Sequence, residues 1–328
     1  MGSEFWNGKT VFVSGVSGFL GGWLADRLVA SGSKVVALVR SMNQESQFFL
    51  RSLDSLASVE YGDVADRAFV DGIFRKYPIN VFFHTAAVSD INRVLREPLA
   101  CFNSTALSTW QILDFIRRER AKCVSVISST DKVYGRQALP NREEDPLLPL
   151  HPFETAKAAQ DLAAQSYGKV YGSAVGVTRC GNYFGGYDFN FDRLIPGVVR
   201  SIVAGEPPTL RSNGKFTRDF LYIEDAVDVQ LLLAEQLATR PELQGEPFNF
   251  SYGTQIEVID IVRSVCSIMG SSLRPEILDN VRIEIPHQQL SSDKAEEMLG
   301  WRPAIGFDEG LARTVRWYTD YFTKNVSV

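Results

Sequence analysis

The sequence of 328 residues predicts an α/β fold, a doubly wound parallel sheet followed by a smaller C-terminal domain. Three observations predict it: a glycine turn between the first strand and the first helix, apolar strands without polar alternation, and alternation of strands and helices through the first half of the chain. With 45% apolar and 22% charged residues, the chain is long enough for one large or two coupled domains.

The first βα unit is the clearest element. Residues 10–14 form a β-branched apolar run that meets Gly15, and residues 19–30 then show helical periodicity that stops at Ser31-Gly32. Residues 34–39 form a second apolar strand, which suits a parallel strand covered on both faces. Right-handed crossovers would place the carboxyl ends of such strands on one edge of the sheet, where ligands are expected.

The alternation of predicted strands and helices continues along the chain and becomes less regular after Cys180. Further strands are predicted at 81–84, 124–128, 174–178 and 247–250, and helices at about 66–76, 99–118, 154–171 and 224–237. After Cys180 the chain becomes rich in Gly, Asn, Tyr and Pro, and further helices are predicted at 193–204 and 307–321. We therefore expect one domain from 7–179 and 219–251, and a smaller one from 180–218 and 252–328.

Charge and cysteine content limit the partners and the compartment. A net charge of −5 argues against nucleic-acid and anionic-membrane surfaces, since both need a concentrated Lys/Arg field. The four cysteines are far apart and the three histidines lack a second ligand at metal-binding spacing, so we predict no disulfide framework, no metal and a reduced cytoplasmic location. Residues 1–5 resemble a cloning remnant more than a signal peptide, and no apolar stretch approaches the roughly 18 residues that span a bilayer.

The glycine turn predicts a dinucleotide site of the Rossmann type. Residues 15–21 place Gly15, Gly18 and Gly21 at the spacing G-x-x-G-x-x-G, followed by a helix that starts with Phe19 and Leu20. Glycines let the backbone approach a pyrophosphate, which then faces the positive end of the helix dipole. The alternative is a purely structural turn.

Two further positions bear on the choice between NAD and NADP. The second strand ends in Arg40, which slightly favours NADP because arginine suits a 2′-phosphate, although Arg40 could equally stack on adenine or face solvent. Asp63 and Val64 are placed to meet the adenine ring, and the alternative for Asp63 is a helix N-cap.

The chain resembles the extended short-chain dehydrogenase/reductase family, in particular nucleotide-sugar 4,6-dehydratases of the CDP-glucose type. The resemblance covers nearly the whole chain. It rests on the glycine turn and on these segments: His84-Thr85-Ala86-Ala87, Ser129-Thr130-Asp131-Lys132-Val133-Tyr134-Gly135, Pro152-Phe153-Glu154-Thr155-Ala156-Lys157, Arg179-Cys180-Gly181-Asn182-Tyr183-Phe184-Gly185-Gly186, Asp192-Arg193-Leu194-Ile195-Pro196, Arg218-Asp219-Phe220 and Leu299-Gly300-Trp301-Arg302-Pro303.

The resemblance implies a hydride-transfer site. A hydroxyl at Thr130 and a phenol at position 153 would share the proton of the sugar 4-hydroxyl, while a hydride passes from C4 to a nicotinamide. Lys157 would hold the nicotinamide ribose and lower the pKa of the phenol by its charge; its alternative is an exposed helix lysine. Ala86, Ala87 and Ser128 would also contact the cofactor.

The resemblance also implies an elimination step. Asp131 would act as the acid at O6, and Lys132 would replace a carboxylate as base or stabilise the enolate. Epimerases of the family usually carry small neutral residues at these two positions, so the charged pair favours dehydration. The alternative is a salt bridge at the end of a strand.

Phe153 departs from the family pattern, because phenylalanine has no proton to give or take. The loss of general-base assistance is typically worth a factor of about 10²–10⁴ in rate. Either a tyrosine was replaced to trap a substrate complex, which we favour, or this is a natural member that uses another base or has lost activity.

Substrate ligands are also implied by the resemblance. Asn182 would contact the sugar or diphosphate, Arg193 and Arg218 the diphosphate, and His287 the nucleotide. The arginines could instead form ion pairs, for instance with Asp192 or Asp219. His84 and His151 are expected to be packing or loop residues.

The sequence thus predicts a cytoplasmic nucleotide-sugar 4,6-dehydratase that uses NAD or NADP, with the 180–218 and 252–328 domain binding a nucleotide sugar, CDP-glucose or a similar one. The alternatives are a 4-epimerase or 4-dehydrogenase of the same family, and a non-catalytic sugar-nucleotide or dinucleotide binding protein. The resemblance also implies a homodimer built from the helices at about 99–118 and 154–172; the alternative is that the apolar faces of these helices serve core packing.

Overall fold

The computed structural model describes residues 3–281 and 283–325. Its strands are β1 Thr10–Ser14, β2 Lys34–Val39, β3 Ser58–Tyr61, β4 Val81–His84, β5 Val124–Ser128, β6 Val175–Cys180, β7 Asn182–Phe184, β8 Thr209–Leu210, β9 Thr217–Arg218, β10 Phe220–Tyr222, β11 Pro247–Phe250, β12 Ile256–Glu257 and β13 Glu276–Ile277.

The α-helices of the described residues are α1 Ser3–Trp6, α2 Phe19–Ala30, α3 Gln47–Leu50, α4 Arg67–Lys76, α5 Ile91–Arg96, α6 Pro98–Phe102, α7 Ser108–Glu119, α8 Pro152–Tyr171, α9 Leu194–Val203, α10 Ile223–Leu237, α11 Val258–Ile268, α12 Asp293–Leu299 and α13 Phe307–Asn325. Short 3₁₀ turns occur at Leu53–Ser55, Asp131–Tyr134 and Pro241–Leu243, and a π-helical turn at Asn103–Leu107 joins α6 to α7.

A seven-stranded parallel sheet in the order β11-β6-β5-β4-β1-β2-β3 is the centre of the described fold. Successive side chains of β1 and β2 alternate between its two faces, as a pleated strand requires. One buried cluster contains Val11, Val13 and Ala37, and the other contains Phe12 and Val36. Both faces are therefore covered, which confirms the predicted fold class.

Most predicted helices and strands are confirmed within two residues at their ends, but the closing helix predicted over 307–321 continues to Asn325, and α11 and α12 were not predicted. The helix expected over 99–118 is interrupted by the π-helical turn. The edge strand β3 was not predicted, since its four residues are too short for a recognisable period. Of residues 1–5, which were expected to be a cloning remnant, residues 3–5 belong to α1, which ends at the buried Trp6, while Met1 and Gly2 lie outside the described residues.

The segments after β6 form a smaller layer beside the carboxyl edge of the sheet. Helices α9, α11 and α13 pack together there, and Tyr318 of α13 donates to the carbonyl of Asp188 at 2.7 Å. Strand β11 joins the large sheet beside β6, as the predicted boundaries require. The division into two domains itself stays a prediction.

Candidate functional site

A cleft of about 910 Å³ lies where the carboxyl ends of the sheet strands meet the smaller layer. One wall is formed by the glycine turn and by residues that follow β2, β4 and β5. The other wall comes from residues 180–218 and from Glu284. This is the edge at which ligands bind in open α/β sheets.

The glycine turn brings the start of α2 into the cleft. Gly15 has a φ of +79°, and a β-carbon there would lie 2.8 Å from the backbone nitrogen of Ala86. A β-carbon on Gly21 would lie 2.2 Å from the carbonyl oxygen of Gly15. Gly18 is the N-cap, and Phe19 and Leu20 also line the cleft. Bare backbone and a positive helix end fit a pyrophosphate.

Arg40, Asp63 and Val64 line the same cleft. Among the described residues Arg40 has no ion pair and is exposed, so its guanidinium is available to a ligand. The helix N-cap suggested for Asp63 is wrong: Asp66 caps α4 by accepting from the backbone N–H of Phe69, while Asp63 accepts from the N–H of Ala65 at 2.9 Å.

Lys157 is held at the base of the cleft. Its Nζ donates to the carbonyl of Ser128 at 2.6 Å and to Gln160 Oε1 at 2.9 Å. The side chain is buried, so it is not an exposed helix lysine, and burial lowers the pKa of Lys157 to about 8. Ala86, Ala87 and Ser128 line the cleft beside it.

The residues after β5 form a connected polar group with one carboxylate at its centre. Thr130 Oγ1 donates to Asp131 Oδ1 at 2.9 Å, and Lys132 Nζ lies 3.4 Å from the same oxygen. Lys132 also donates to Asn182 Oδ1 at 2.9 Å. The expected salt bridge therefore exists, and it lies inside the candidate site.

Thr130 and Lys132 line the cleft, whereas Asp131 does not. The Asp131 side chain is 2% exposed and lies behind its two neighbours. Its second oxygen, Oδ2, is buried and has no hydrogen-bond partner among the described residues.

Phe153 lines the cleft from the first turn of α8. This turn is fixed by a reciprocal cap: His151 Nδ1 accepts from the N–H of Phe153, and Glu154 Oε2 accepts from the N–H of His151 at 3.0 Å. Because Lys157 is one turn further along α8, both side chains enter the cleft from the same helix face. Thr130, Lys132, Phe153 and Lys157 therefore share one cavity with the glycine turn.

The predicted substrate ligands already have protein partners. Both arginines line the cleft, but the ion-pair partners suggested for them are wrong: Arg193 pairs with Asp188 at 2.9 Å and Arg218 pairs with Glu284. Asp219 instead accepts backbone N–H groups, including that of Leu290 at 2.9 Å.

Asn182 and the histidines complete the predicted set. Asn182 lines the cleft, and its Nδ2 donates to the carbonyl of Asp219 at 3.0 Å. His287 is not among the cleft-lining residues; its Nδ1 is 3.1 Å from Thr217 Oγ1. His84 is buried with its Nδ1 2.8 Å from Ser14 Oγ, and burial lowers its pKa to about 3, so it is a neutral packing residue as expected.

Three residues of the site were missed from the sequence. Glu284 and Asp188 neutralise the two arginines, and Tyr183 lines the cleft with a buried hydroxyl that makes no hydrogen bond to a nitrogen or oxygen atom of the described residues. Tyr183 lies within a segment that carried the resemblance, and Glu284 lies three residues before His287, so their chemical character could have been noticed. Asp188 lies in an irregular loop, where no periodicity indicates a contact.

Neither a metal-binding cluster nor a membrane-spanning helix is found within residues 3–281 and 283–325. No group of three or more His, Cys, Asp or Glu side chains is arranged to hold a metal ion in these ranges. Within the same part of the chain, no helix combines the length and apolar character needed to cross a bilayer. The four cysteines are buried and unpaired.

Comparison with known proteins gives a consistent family. The model of the family described as GDP-mannose 4,6 dehydratase matches residues 12–314. A dTDP-glucose 4,6-dehydratase from Xanthomonas campestris pv. campestris is 28% identical over 340 residues, which cover 94% of this chain and 93% of that protein.

Solved structures agree with this comparison. A dTDP-glucose 4,6-dehydratase from Streptomyces venezuelae, solved with NAD bound, superposes with a TM-score of 0.83 at 25% identity and covers 96% of this chain and 98% of its own. A UDP-glucose 4-epimerase from Thermotoga maritima, solved with UDP-glucose, has a TM-score of 0.85 at 22% identity, covering 95% and 99%. The likeness to the epimerase shows the fold alone.

Proposed function

The chain belongs to the GDP-mannose 4,6 dehydratase family of extended short-chain dehydrogenase/reductases, an enzyme family of nucleotide-sugar dehydratases and epimerases, and we propose that it is a nucleotide-sugar 4,6-dehydratase that acts on CDP-glucose. It would oxidise C4 of the sugar, eliminate water across C5–C6 and return the hydride to C6. One observation supports this proposal above the others: Thr130, Lys132, position 153 and Lys157 line the same cleft as the glycine turn.

The cofactor part of the cleft fits a nicotinamide dinucleotide. When bound, the dinucleotide supplies the acceptor for the C4 hydride and the donor for C6. The backbone at Gly15, Gly18 and Gly21 would hold its pyrophosphate, and Lys157 would hold the nicotinamide ribose. The carbonyl of Ser128 and the amide of Gln160 fix the direction of the Lys157 ammonium.

The preference for NADP over NAD is a finer proposal that rests on Arg40. Its exposed guanidinium at the end of β2 could bind the 2′-phosphate by two hydrogen bonds. Replacement of Arg40 by alanine should weaken NADP binding and leave NAD binding nearly unchanged in calorimetric titrations. Equal losses for both dinucleotides would instead indicate that Arg40 stacks on the adenine.

The oxidation step needs a base at position 153. Thr130 would orient the sugar 4-hydroxyl, and a phenol at 153 would take its proton with help from the charge of Lys157. We propose that Phe153 is a replacement for tyrosine, because the rest of this constellation matches an active site. Phe153 and Thr130 line the same cleft.

The elimination step would use the charged pair after Thr130. Lys132 lines the cleft and would accept the C5 proton as the general base, after which its ammonium would stabilise the negative charge on the C4 oxygen. Asp131, which Thr130 and Lys132 both contact, would deliver the proton to O6. Because Asp131 lies behind these residues, the proton would reach O6 through the Thr130 hydroxyl, which would give its own proton to O6 and take one from Asp131 Oδ1.

The same position of Asp131 favours one alternative, a 4-epimerase or 4-dehydrogenase. If the Thr130 hydroxyl does not relay this proton, only the C4 chemistry is available and the 6-hydroxyl is retained. Phe153 favours a second alternative, a binding protein without catalysis. The product of the tyrosine variant distinguishes all three functions.

The test is the reaction of the Phe153→Tyr variant with CDP-glucose, dTDP-glucose and GDP-mannose, followed by mass spectrometry of the products. We expect a product lighter by one water from CDP-glucose, and at least about a hundredfold less from the unchanged chain. Phe191→Tyr, which adds a phenol elsewhere in the same cleft, is the matched control and should stay inactive. A product of unchanged mass would support the epimerase, and no product from any nucleotide sugar would support the binding protein.

A further inference from the structure

The hydroxyl of Tyr183 has no role in the proposed reaction. Tyr183 is a residue of β7 whose ring lines the cleft, directly after Asn182. Its hydroxyl is shielded from solvent and makes no hydrogen bond to a nitrogen or oxygen atom of the described residues; its polar neighbour is the Cys180 thiol, which is only a weak acceptor. A buried hydroxyl left in this state destabilises the fold, because it has lost its hydrogen bonds to water without replacing them. A phenylalanine would avoid this destabilisation, so the hydroxyl needs an explanation.

Asp131 presents the complementary group. Its Oδ1 accepts from Thr130 Oγ1 and contacts Lys132 Nζ, so one carboxylate oxygen is used twice. Its Oδ2 is as deeply shielded as the tyrosine hydroxyl and has no hydrogen-bond partner in the described part of the chain. An unpaired carboxylate oxygen in a buried position is more costly than an unpaired hydroxyl.

The sheet register brings these two groups to the same place. Strands β5 and β6 are parallel neighbours, with Ser128 opposite Thr178, so the turn that contains Asp131 follows β5 where residues 181–183 follow β6. The bond from Lys132 to Asn182 Oδ1 joins the two segments. Asp131 and Tyr183 are each one residue from this bond.

The electrostatics of the hydroxyl make it a donor. Burial raises the pKa of Tyr183 well above its usual value, and the neighbouring Cys180 thiol and Asp131 carboxylate raise it further. The phenol therefore keeps its proton at any pH at which the protein works. A protonated phenol beside an unpaired carboxylate oxygen can donate to it.

We propose that Tyr183 is a positioning residue that donates a hydrogen bond to Asp131 Oδ2 through one buried water. The contact holds the plane of the carboxyl group so that Oδ1 remains on Thr130 and Lys132. This inference rests on the proposed role of Asp131 in dehydration. Since Asp131 is needed only for removal of O6, loss of the hydroxyl should slow elimination and spare the oxidation at C4.

The kinetic test compares Phe153→Tyr with Phe153→Tyr/Tyr183→Phe during turnover of CDP-glucose. We expect the double variant to form the dehydrated product roughly fivefold to tenfold more slowly, as the loss of one hydrogen bond implies. Reduced nicotinamide should then accumulate, because C4 is still oxidised while the next step is delayed. Tyr252→Phe is the matched control, since it removes a phenol that donates to the carbonyl of Ile305 at 2.7 Å.

A second measurement follows the contact without any reaction. In protein labelled with ¹³C at aspartate carboxyl groups, the Asp131 resonance is the one that Asp131→Asn removes. We expect Tyr183→Phe to move this resonance and Tyr252→Phe to leave it in place. This readout decides the contact even if CDP-glucose gives no dehydrated product, an outcome that would contradict the proposed function alone.

Two results would overturn the proposal. An Asp131 resonance unmoved by Tyr183→Phe would show that the hydroxyl does not reach the carboxyl group. Oxidation and elimination slowed by the same factor, without accumulation of reduced nicotinamide, would show that the phenol only supports packing.

Discussion

Lys157 shows how a single residue combines burial with charge. Its ammonium is buried in the described structure and is held by one carbonyl and one amide oxygen, without a carboxylate in hydrogen-bond contact. Placing this buried cation at the candidate cofactor site therefore lowers the stability of the folded protein. Such costs are typical of functional positions.

This cost predicts a dependence of stability on pH. The pKa of Lys157 is about 8 in the folded protein and about 10.4 in an unfolded chain, so between these values the unfolded state binds more protons. The free energy of unfolding should therefore rise by up to about 3 kcal/mol between pH 8 and pH 10.4, relative to Lys157→Met, in urea titrations of both proteins. A difference in unfolding free energy between the two proteins that stays constant from pH 8 to pH 10.4 would contradict the buried charge of Lys157.

Glu284 gives a second prediction at the scale of one residue. Its carboxylate occupies the Arg218 guanidinium that a substrate diphosphate would need, so the two anions compete. Glu284→Gln should strengthen binding of CDP by about 1 kcal/mol, or roughly fivefold, in calorimetric titrations. The exposed Glu276, which does not line the cleft, provides the control variant Glu276→Gln. Weaker binding would show instead that Glu284 contacts the nucleotide itself.

Sequence reasoning located the site residues better than their contacts. Thr130, Lys132, Phe153 and Lys157 could be identified because each has a fixed distance along the chain from a strand end or a helix start. The partners of Arg193 and Arg218 could not, because Asp188 and Glu284 lie in loops whose path depends on tertiary packing. The inward turn of Asp131 likewise depends on the backbone of one 3₁₀ turn.

At the scale of elements, α8 carries both position 153 and Lys157, so its first turn sets their direction. Glu154 Oε2 accepts the backbone N–H groups of Leu150 and His151, each at 3.0 Å. We expect Glu154→Ala to lower the free energy of unfolding by about 1 kcal/mol, measured by urea denaturation. Glu144→Ala, at an exposed residue without a capping contact, should change it by less than about 0.5 kcal/mol.

If Glu154→Ala lowers the free energy of unfolding no more than Glu144→Ala does, the capping role of Glu154 is contradicted. In the Phe153→Tyr background, Glu154→Ala should also reduce turnover, since the phenol would be less firmly placed.

Helix α7 illustrates what periodicity does not reveal. Its apolar period continues across 99–118, yet the backbone widens into a π-helical turn at Asn103–Leu107. This turn brings Ser104 to the cleft wall, and Ser108 Oγ lies 3.2 Å from His84 Nε2. π-Helical turns are frequent at functional sites, but side-chain patterns do not distinguish them from regular helix.

At the scale of the whole molecule, each of the neighbouring helices α6, α7 and α8 carries an exposed apolar side chain, and these residues are called the apolar stripe. Leu99, Trp110 and Leu162 are 74%, 46% and 54% exposed. Exposed apolar patches of this kind mark interaction surfaces. We propose that two copies of the chain associate through this stripe, as the sequence predicts.

The proposed dimer can be tested by sedimentation. We expect the unchanged chain to sediment as a dimer and Trp110→Glu/Leu162→Glu as a monomer, because two charges would be buried without partners. Met42→Glu, at a residue that is 62% exposed elsewhere, should remain dimeric. A monomeric unchanged chain, or a double variant that still dimerises, would contradict the proposal.

The proposed function requires that C4 oxidation and C6 reduction of the same sugar take place in one cleft. The most direct measurement is the fate of deuterium when the Phe153→Tyr variant reacts with CDP-glucose labelled at C4. We expect a dehydrated product with the deuterium at C6, detected by NMR, because the hydride removed from C4 is returned to C6. Deuterium that remains at C4, in a product that keeps its 6-hydroxyl, would contradict it.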